Sequence, residues 1–439
     1  MSRSPAIGLV SLGCAKNLVD TERLTSALIA MGYRISPDYA HSDLIVVNTC
    51  GFIGPAQEES LSAIGEALEG QRRVLVMGCL GSRPGTILSR HPEVLKVFGP
   101  GRRAAVLREI VKVLGQPPQS AVQRVSPAGI VLTPPHYAYL KIAEGCRHRC
   151  AFCIIPSLRG ALRSRRREDI LREATALKEQ GVKELLVIAQ DSSDYGFDLG
   201  DGSTLSSLIR ELAALKLWVR VHYVYPSREA TALVELMGEG LVLPYLDVPL
   251  QHASEKILKL MRRPGNLEKT LETLEKWRKI RPDLAIRSTF ITGFPGETEA
   301  DFEYLLEFLK AARLDRVGCF PYSDVEGATA NAYPDAVPEE VRQERAARLM
   351  EIQEQISEEK LAARVGTTCE VLIDEVTEDH VAVGRSMYEA PDVDGVITLE
   401  NARSLKAGDL VRARITASST HDLEATLVEG FGASLKFNR

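Results

Sequence analysis

Apolar residues in the first hundred positions fall into short, regularly placed runs: Ile7 to Gly13, Leu44 to Thr49 and Val74 to Gly78. Each run is rich in β-branched residues and too short for a buried helix, so each predicts a buried strand. Positions 17–31 and 55–68 between them repeat their apolar residues at helical spacing. Strands alternating with helices imply a parallel sheet. A polar, proline-containing stretch over 116–135 then breaks the pattern and predicts a linker.

Six further strand-like runs follow, at 137–143, 184–190, 219–225, 242–248, 285–292 and 316–322, separated for the most part by helical patterns such as 168–179, 229–237, 267–279 and 299–312. This alternation predicts an incomplete parallel β/α barrel of six strands. A helical connector dense in Glu and Arg is expected over 338–365, opened by Pro338. From Gly366 the texture changes to five short alternating runs, which predict a small antiparallel barrel of oligonucleotide-binding-like shape. The expected organisation is an α/β chain with an N-terminal parallel domain over 1–115, a linker over 116–135, a partial (β/α)6 barrel over 136–337, a connector over 338–365 and a β-barrel over 366–439. A length of 439 residues agrees with several domains, and no stretch approaches the roughly 20 apolar residues of a membrane span.

The cysteines bring in chemistry. Cys14, Cys50 and Cys79 each follow one of the first three predicted strands, 36 and 29 positions apart. Parallel strands point the same way, so their C-terminal ends gather at one sheet edge, where such sheets bind ligands. Isolated cysteines pack as small hydrophobes, but three in phase with three strands predict a three-thiolate site. Cys146, Cys150 and Cys153 form a Cys-x-x-x-Cys-x-x-Cys run after the first barrel strand. Three thiolates at that spacing can hold three corners of a cubane iron-sulfur cluster, leaving the fourth iron open to a small molecule. A closed zinc site would need a fourth ligand, for which His148 is the nearby choice. A disulfide framework is disfavoured by eight cysteines in 439 residues and by the absence of an apolar leader over Met1–Gly8. Reduced thiols in a cytoplasmic protein are the expectation, with Cys319 and Cys369 as packed thiols.

The run from Cys146 to Cys153, with Phe152 before the third cysteine, resembles the radical S-adenosylmethionine (SAM) superfamily. The resemblance implies that Cys146, Cys150 and Cys153 hold a 4Fe-4S cluster that binds and reductively cleaves SAM. It implies that Phe152 lies near the adenine and that Gln190, Ser227, Gly293 and Gly296, at barrel strand ends, contribute to the SAM pocket. The second cysteine set narrows the resemblance to the methylthiotransferases, whose N-terminal domain carries an auxiliary cluster, here on Cys14, Cys50 and Cys79. Ser11-Leu12-Gly13-Cys14-Ala15-Lys16-Asn17-Leu18-Val19-Asp20 resembles the opening signature of the RimO-type branch, which acts on a ribosomal protein. It departs from that branch at Ala15, where proline is usual, and at Thr21, where serine is usual. The C-terminal segment resembles a TRAM domain, and Gly384 to Gly395 resembles a stretch typical of the same branch.

What the resemblance implies is a transferase with two 4Fe-4S clusters and SAM as cofactors. Its product would carry a methylthio group on the β-carbon of an aspartate in ribosomal small-subunit protein twelve, with a low-potential electron donor such as flavodoxin or ferredoxin. Methylthiolation of a transfer-RNA adenosine is the nearer alternative, and a noncatalytic iron-sulfur carrier the remoter one. Charge bears on the choice. The whole chain carries -5, and positions 366–439 hold 7 Lys plus Arg against 13 Asp plus Glu, 7 - 13 = -6. An acidic barrel is a poor grip on phosphate and suits a basic protein. Arg163 to Arg167 holds four arginines in five positions, either a solvated helix start or a contact to an anionic group near the site.

Overall fold

The computed structural model describes residues 3–400 and 402–428. The N-terminal domain is a five-stranded parallel sheet in the order β2-β1-β3-β4-β5. Its strands are β1 (Ala6–Ser11), β2 (Arg34–Ser36), β3 (Leu44–Thr49), β4 (Val74–Gly78) and β5 (Lys96–Val97). Helices α1 (Ala15–Ala30) and α4 (Arg103–Leu114) cover one face, packing Leu24, Leu28, Val106 and Ile110 on Ile7, Val46 and Leu75. Helices α2 (Gly54–Leu68) and α3 (Pro84–Leu88) cover the other, with Leu61, Ile64 and Ile87 on Ile45, Val47 and Val76. Burial on both faces is why β3 and β4 read as unbroken apolar runs. The edge strands β2 and β5 and the helix α4 are additions to the sequence expectation. Edge strands are short and polar, and Arg34-Ile35-Ser36 carries no strand signature.

Residues 116–135 hold no strand and one 3-10 turn at Gln119–Ala121. They lie along α1: the Ile130 N–H donates to Ser26 Oγ at 2.7 Å and the Leu132 N–H to Glu22 Oε1 at 2.7 Å. Burial lifts the Glu22 carboxyl from its ordinary value near 4.5 to about 7. Between those two values the folded chain holds a proton that the unfolded chain has released, so stability falls as pH rises through this window and levels off above it. Glu22→Gln, which keeps the acceptor, should therefore raise the melting temperature at pH 8 and leave it unchanged at pH 4. The difference corresponds to at most about 3 kcal/mol. Melting curves at the two pH values check this.

The second domain is a parallel sheet of six strands in the order β6-β9-β10-β11-β12-β13, open between its first and last strands. The strands are β6 (Tyr137–Lys141), β9 (Glu184–Ile188), β10 (Trp218–Val221), β11 (Tyr245–Asp247), β12 (Ala285–Thr292) and β13 (Arg316–Pro321). A small hairpin of β7 (Ala143–Glu144) and β8 (Arg163–Ser164) flanks the first strand, with α5 (Ile155–Arg159) between its arms. Helices α6 (Arg167–Glu179), α7 (Leu205–Ala213), α8 (Arg228–Gly238), α9 (Glu255–Leu260), α10 (Leu267–Ile280) and α11 (Glu299–Ala312) separate the remaining strands. Residues such as Ile170, Leu208, Leu233 and Phe302 pack on Leu140, Val187, Val219 and Phe290. Capping boxes at Thr204 and Thr298 start α7 and α11.

After α12 (Glu339–Ala362), strands β14 (Thr368–Val376), β15 (Ala382–Arg385), β16 (Ile397–Leu399), β17 (Leu410–Ser418) and β18 (Leu423–Leu427) close into a barrel. This barrel is bolted to the N-terminal ends of the parallel strands. Glu184 Oε1 accepts from Arg220 Nε at 2.7 Å and Glu184 Oε2 from Arg385 Nη1 at 2.8 Å. Arg385 Nε reaches Asp374 Oδ2 at 2.7 Å, and Asp374 Oδ1 meets His136 Nε2 at 2.7 Å. The stretch 384–395 closes the bottom of the parallel barrel: Tyr245 Oη donates to Asp394 at 2.6 Å, Tyr139 Oη to Asp392 at 3.2 Å and Tyr388 Oη to Asp283 at 2.6 Å. Breaking a buried ion pair from one side costs about 3–5 kcal/mol, because the other charge stays buried. Glu184→Gln, which leaves Arg220 and Arg385 without their shared carboxylate, should lower the melting temperature strongly. Differential scanning calorimetry would show it, and a shift of less than a degree would mean that the junction tolerates the loss.

Candidate active site

The three N-terminal cysteines meet at the C-terminal edge of the first sheet. Cys14 precedes α1, Cys50 follows β3 and Cys79 follows β4. Asn17 ties the three loops together. Its Nδ2 donates to the carbonyls of Leu12 at 2.9 Å and Thr49 at 3.0 Å, and its Oδ1 faces Cys79 Sγ at 3.8 Å. Gly13 holds φ at +85°, and a Cβ there would sit 2.7 Å from Cys50 Cβ and 3.0 Å from its sulfur. Only glycine lets the Cys14 loop lie against Cys50. The thiols feel one another: burial pushes Cys50 and Cys79 up, Cys79 to about 11, and Cys14 adds to the rise of Cys50 while Cys14 and Cys50 add to that of Cys79. Burial also acts to raise Cys14, but Lys16, the backbone N–H of Asn17 and Arg159 outweigh it and hold this thiol below its ordinary value.

The second trio sits in the loop after β6 and the short β7. Gly145 has φ +76°, and its missing Cβ would fall 2.1 Å from the Ala161 carbonyl oxygen. The loop is thereby pressed on the turn after α5, where the Cys146 N–H donates to the Gly160 carbonyl at 3.1 Å. Farther along, Ala151 is pinned from both sides, its N–H to the Met261 carbonyl at 3.0 Å and its carbonyl to the Ala330 N–H at 2.9 Å. Burial raises Cys146 to about 11 and Cys153 to about 12, and the neighbouring thiols add to the rise. Cys50, Cys79, Cys146 and Cys153 therefore sit where a lone thiolate is disfavoured, the situation that a bound cation reverses by deprotonating its ligands outright.

His148 does not complete a four-ligand set. Its Nε2 lies 2.6 Å from Asp191 Oδ2 and 3.2 Å from Asp194 Oδ2, and its ring stacks on Tyr225 at 3.9 Å. Burial alone would lower the imidazole, yet the two carboxylates lift it to about 9. Arg147 makes a two-pronged bond to Asp194, and Ser193 bonds Asp191, so these groups form an ion-pair clamp beside the cysteines. Three donors with an open position fit a cubane cluster and leave the zinc reading without its fourth ligand.

The other expected residues divide. Phe152 is half-buried against Ile257, Met261, Phe294 and Tyr322. Gln190 donates to Glu144 Oε1 at 3.0 Å, while its own carbonyl oxygen is buried with no hydrogen-bond partner, an acceptor left for a ligand donor. The Gly293 N–H is taken by the Glu297 carboxylate at 2.9 Å, with the Arg342 side chain lying against its α-carbon. Gly296 donates to the Asp335 carbonyl at 2.9 Å and accepts from Lys256 at 2.8 Å. Ser227 is exposed ahead of α8 and its side chain makes no cap. Both glycine N–H groups and the Gly296 carbonyl are thus engaged by the protein itself.

One buried residue joins the two trios. Arg159, at the end of α5, directs Nε to Cys79 Sγ at 3.3 Å, Nη1 to Asp20 at 3.0 Å and Glu144 at 2.8 Å, and Nη2 to Asn17 Oδ1. Glu144 also accepts from Lys141 at 2.9 Å, and Lys141 pairs with Asp20. Burial acts against its charge, but Lys141 and Arg159 bring the Glu144 carboxyl down to about 2. A continuous path runs from Cys79 through Arg159 and Glu144 to Gln190. The arginine cluster at 163–167 takes a different part: Arg163 is exposed, Arg165 holds Glu173 at 2.6 Å, and Arg167 faces Glu211 at 3.3 Å.

Relatives agree with this layout. Residues 140–309 match the radical SAM superfamily, residues 365–428 the TRAM domain and residues 6–99 the uncharacterized protein family UPF0004. The chain is 53% identical to the ribosomal protein uS12 methylthiotransferase RimO of Aeromonas salmonicida, over 97% of this chain and 99% of that one. It is 54% identical to the protein of that name from Thermus thermophilus, over 95% and 98% of the two chains. The solved structure of the radical S-adenosylmethionine methyltransferase TsrM from Kitasatospora setae shares the fold, with a TM-score of 0.51 at 15% identity over 73% of this chain and 75% of that chain.

Proposed function

We propose a division of labour between the two thiol sites of this chain, which belongs to the RimO family of ribosomal protein uS12 methylthiotransferases within the radical SAM superfamily. Enzymes of this kind use two 4Fe-4S clusters and SAM, and they need a reductant. Cys146, Cys150 and Cys153 hold one cluster, and Cys14, Cys50 and Cys79 the other. Bound there, the cofactors supply a carbon radical able to break an unactivated C–H bond and a sulfur to put in its place, chemistry that side chains alone cannot provide.

The chain's own residues position and insulate. Phe152 offers an apolar wall for the adenine, the free carbonyl of Gln190 an acceptor for SAM, and Ser227, Gly293 and Gly296 the rim of the same pocket. Arg159, with Asn17 and Glu144, sets the distance between the two sites, because a barrier of this kind is sensitive to misplacement of about 1 Å. The substrate carbon is the β-carbon of an aspartate in uS12. A low-potential donor such as flavodoxin or ferredoxin supplies electrons, and the setting is cytoplasmic. No helix among the described residues is long and apolar enough to cross a membrane.

The observation that carries this reading is the link from Cys79 through Arg159 to Glu144, two residues before Cys146. Two unrelated clusters would have no need of it. The test is mass spectrometry of uS12 and of bulk transfer RNA after anaerobic incubation with reconstituted enzyme, SAM, sulfide and a strong reductant. A methylthio group on a uS12 aspartate peptide is expected. The same group on an adenosine, with uS12 unmodified, would reject the reading, and absence of SAM cleavage would favour a noncatalytic carrier.

A further inference from the structure

Lys16 stands where the two domains meet, and among the described residues its charge has no carboxylate to answer it. It is the second residue of α1, two positions after Cys14, and its ammonium lies 3.2 Å from the centre of the Tyr223 ring. Tyr223 follows β10 at the mouth of the parallel barrel and is held in a left-handed conformation, φ +60°, which non-glycine residues adopt rarely. Its N–H is bound by Asp247 at 3.0 Å and its carbonyl by the Ser192 N–H at 2.8 Å. Three strand-end segments thus fix the backbone that carries the ring on which Lys16 rests.

The neighbouring cations differ. Lys141 and Arg159 share Asp20 and Glu144, and Arg287 faces Asp247 at 3.2 Å. Lys16 interacts with Tyr223, Cys14 and Arg159, and among the described residues no carboxylate forms an ion pair with it. A ring face satisfies one side of an ammonium and leaves donors open. Arg263 also lacks an ion-pair partner among the described residues, but it lies over Tyr225, 4.0 Å from the ring centre, beside Cys150 and Cys153. The two cations accordingly face different thiol sites.

We propose that Lys16 binds the carboxylate of the substrate aspartate and so presents its β-carbon between the two thiol sites. This rests on the uS12 reading above and adds to it the group that recognises the reacting side chain. The geometry is economical: one bond separates an aspartate carboxylate from its β-carbon, so an anchor on the first fixes the second, and a charge-assisted bond supplies direction as well as strength. A transfer-RNA base offers no such anion to this position.

The test compares binding of uS12, and of uS12 with the modified aspartate changed to asparagine, to fully reconstituted enzyme and to its Lys16→Met and Lys16→Arg variants. Unaltered enzyme should prefer the aspartate form by about tenfold, the usual scale of one hydrogen bond to a charged group. Lys16→Met should bind both forms alike, and Lys16→Arg should keep part of the preference, both variants being compared after reconstitution to the iron content of the unaltered enzyme. An equal preference in the unaltered enzyme and Lys16→Met would overturn the proposal. So would weakened SAM affinity with the aspartate preference intact, which would assign Lys16 to the SAM carboxylate. If the unaltered enzyme modifies adenosine and leaves uS12 alone, the underlying reading fails in a measurement that involves no variant.

Discussion

Cys50→Ala should give an enzyme that still cleaves SAM and no longer transfers a methylthio group. Cys50 belongs to the edge of the N-terminal sheet, where Gly13 and Asn17 organise the trio. The cysteines after β6 are held by different contacts, from Gly160, Met261 and Ala330, none of which involves the N-terminal sheet. Loss of one N-terminal thiolate should therefore remove about half of the bound iron and spare the barrel site, since a cubane held by three protein ligands tolerates the loss of one poorly. The expected readings are 5'-deoxyadenosine formation within a few-fold of the unaltered enzyme and methylthiolated uS12 below detection. Cys150→Ala should abolish both. Iron analysis and chromatography of the two products decide it. Full iron content in Cys50→Ala, or parallel loss of both products in a correctly folded protein, would mean that the two sites are not independently assembled.

Much of this was legible because it is periodic. Cys14, Cys50 and Cys79 are distant in sequence, yet each ends an apolar run, and parallel strands convert equal phase into proximity. The run from Cys146 to Cys153 is local and needs no fold to be read. What the sequence conceals is pairing between distant charges. Nothing in the neighbourhood of Glu184, Arg220 or Arg385 announces that they meet across two domains. The stretch 384–395, read as a branch signature, closes the bottom of the parallel barrel through Asp392 and Asp394. That changes the meaning of the acidic C-terminal domain. Asp374, Glu389 and Asp394 face inward to Arg385, Arg364 and Tyr245, and the domain docks at the N-terminal ends of strands whose C-terminal ends carry the cysteines. The arginines show the same limit, since the exposed Arg163 and the helix start at Arg167 agree with the solvated alternative for that cluster. The four-residue cluster at 163–167 stands out in composition, whereas Arg159, alone after Ile155-Pro156-Ser157-Leu158, is the one turned inward.

Arg159→Met should be the most damaging single change outside the cysteines. It removes one of two buried cations, Arg159 and Lys141, that answer two half-buried carboxylates, Asp20 and Glu144, leaving an excess of negative charge there. The expected cost is about 3–5 kcal/mol, visible as a large drop in melting temperature. It also withdraws the N–H directed at Cys79 Sγ and the contact to Asn17, so the loss reaches the N-terminal trio directly. Hydrogen bonds to ligand sulfurs help set the potential of an iron-sulfur site, and their removal should move the auxiliary site to a more negative potential, measurable by spectroscopic titration of a variant lacking the barrel cysteines. Arg159→Lys separates charge from shape. A lysine restores the charge balance and most of the stability, but a single ammonium cannot span Cys79, Asn17, Asp20 and Glu144 as a planar fork does. Its melting temperature should approach that of the unaltered protein, while the ratio of methylthiolated uS12 to 5'-deoxyadenosine falls by about tenfold or more, because the proposed division of labour assigns SAM cleavage to the barrel trio and makes transfer depend on the spacing of both sites. If Arg159→Lys restores stability and that ratio together, charge alone is what the junction requires and the geometry of the guanidinium has no part in coupling the two sites.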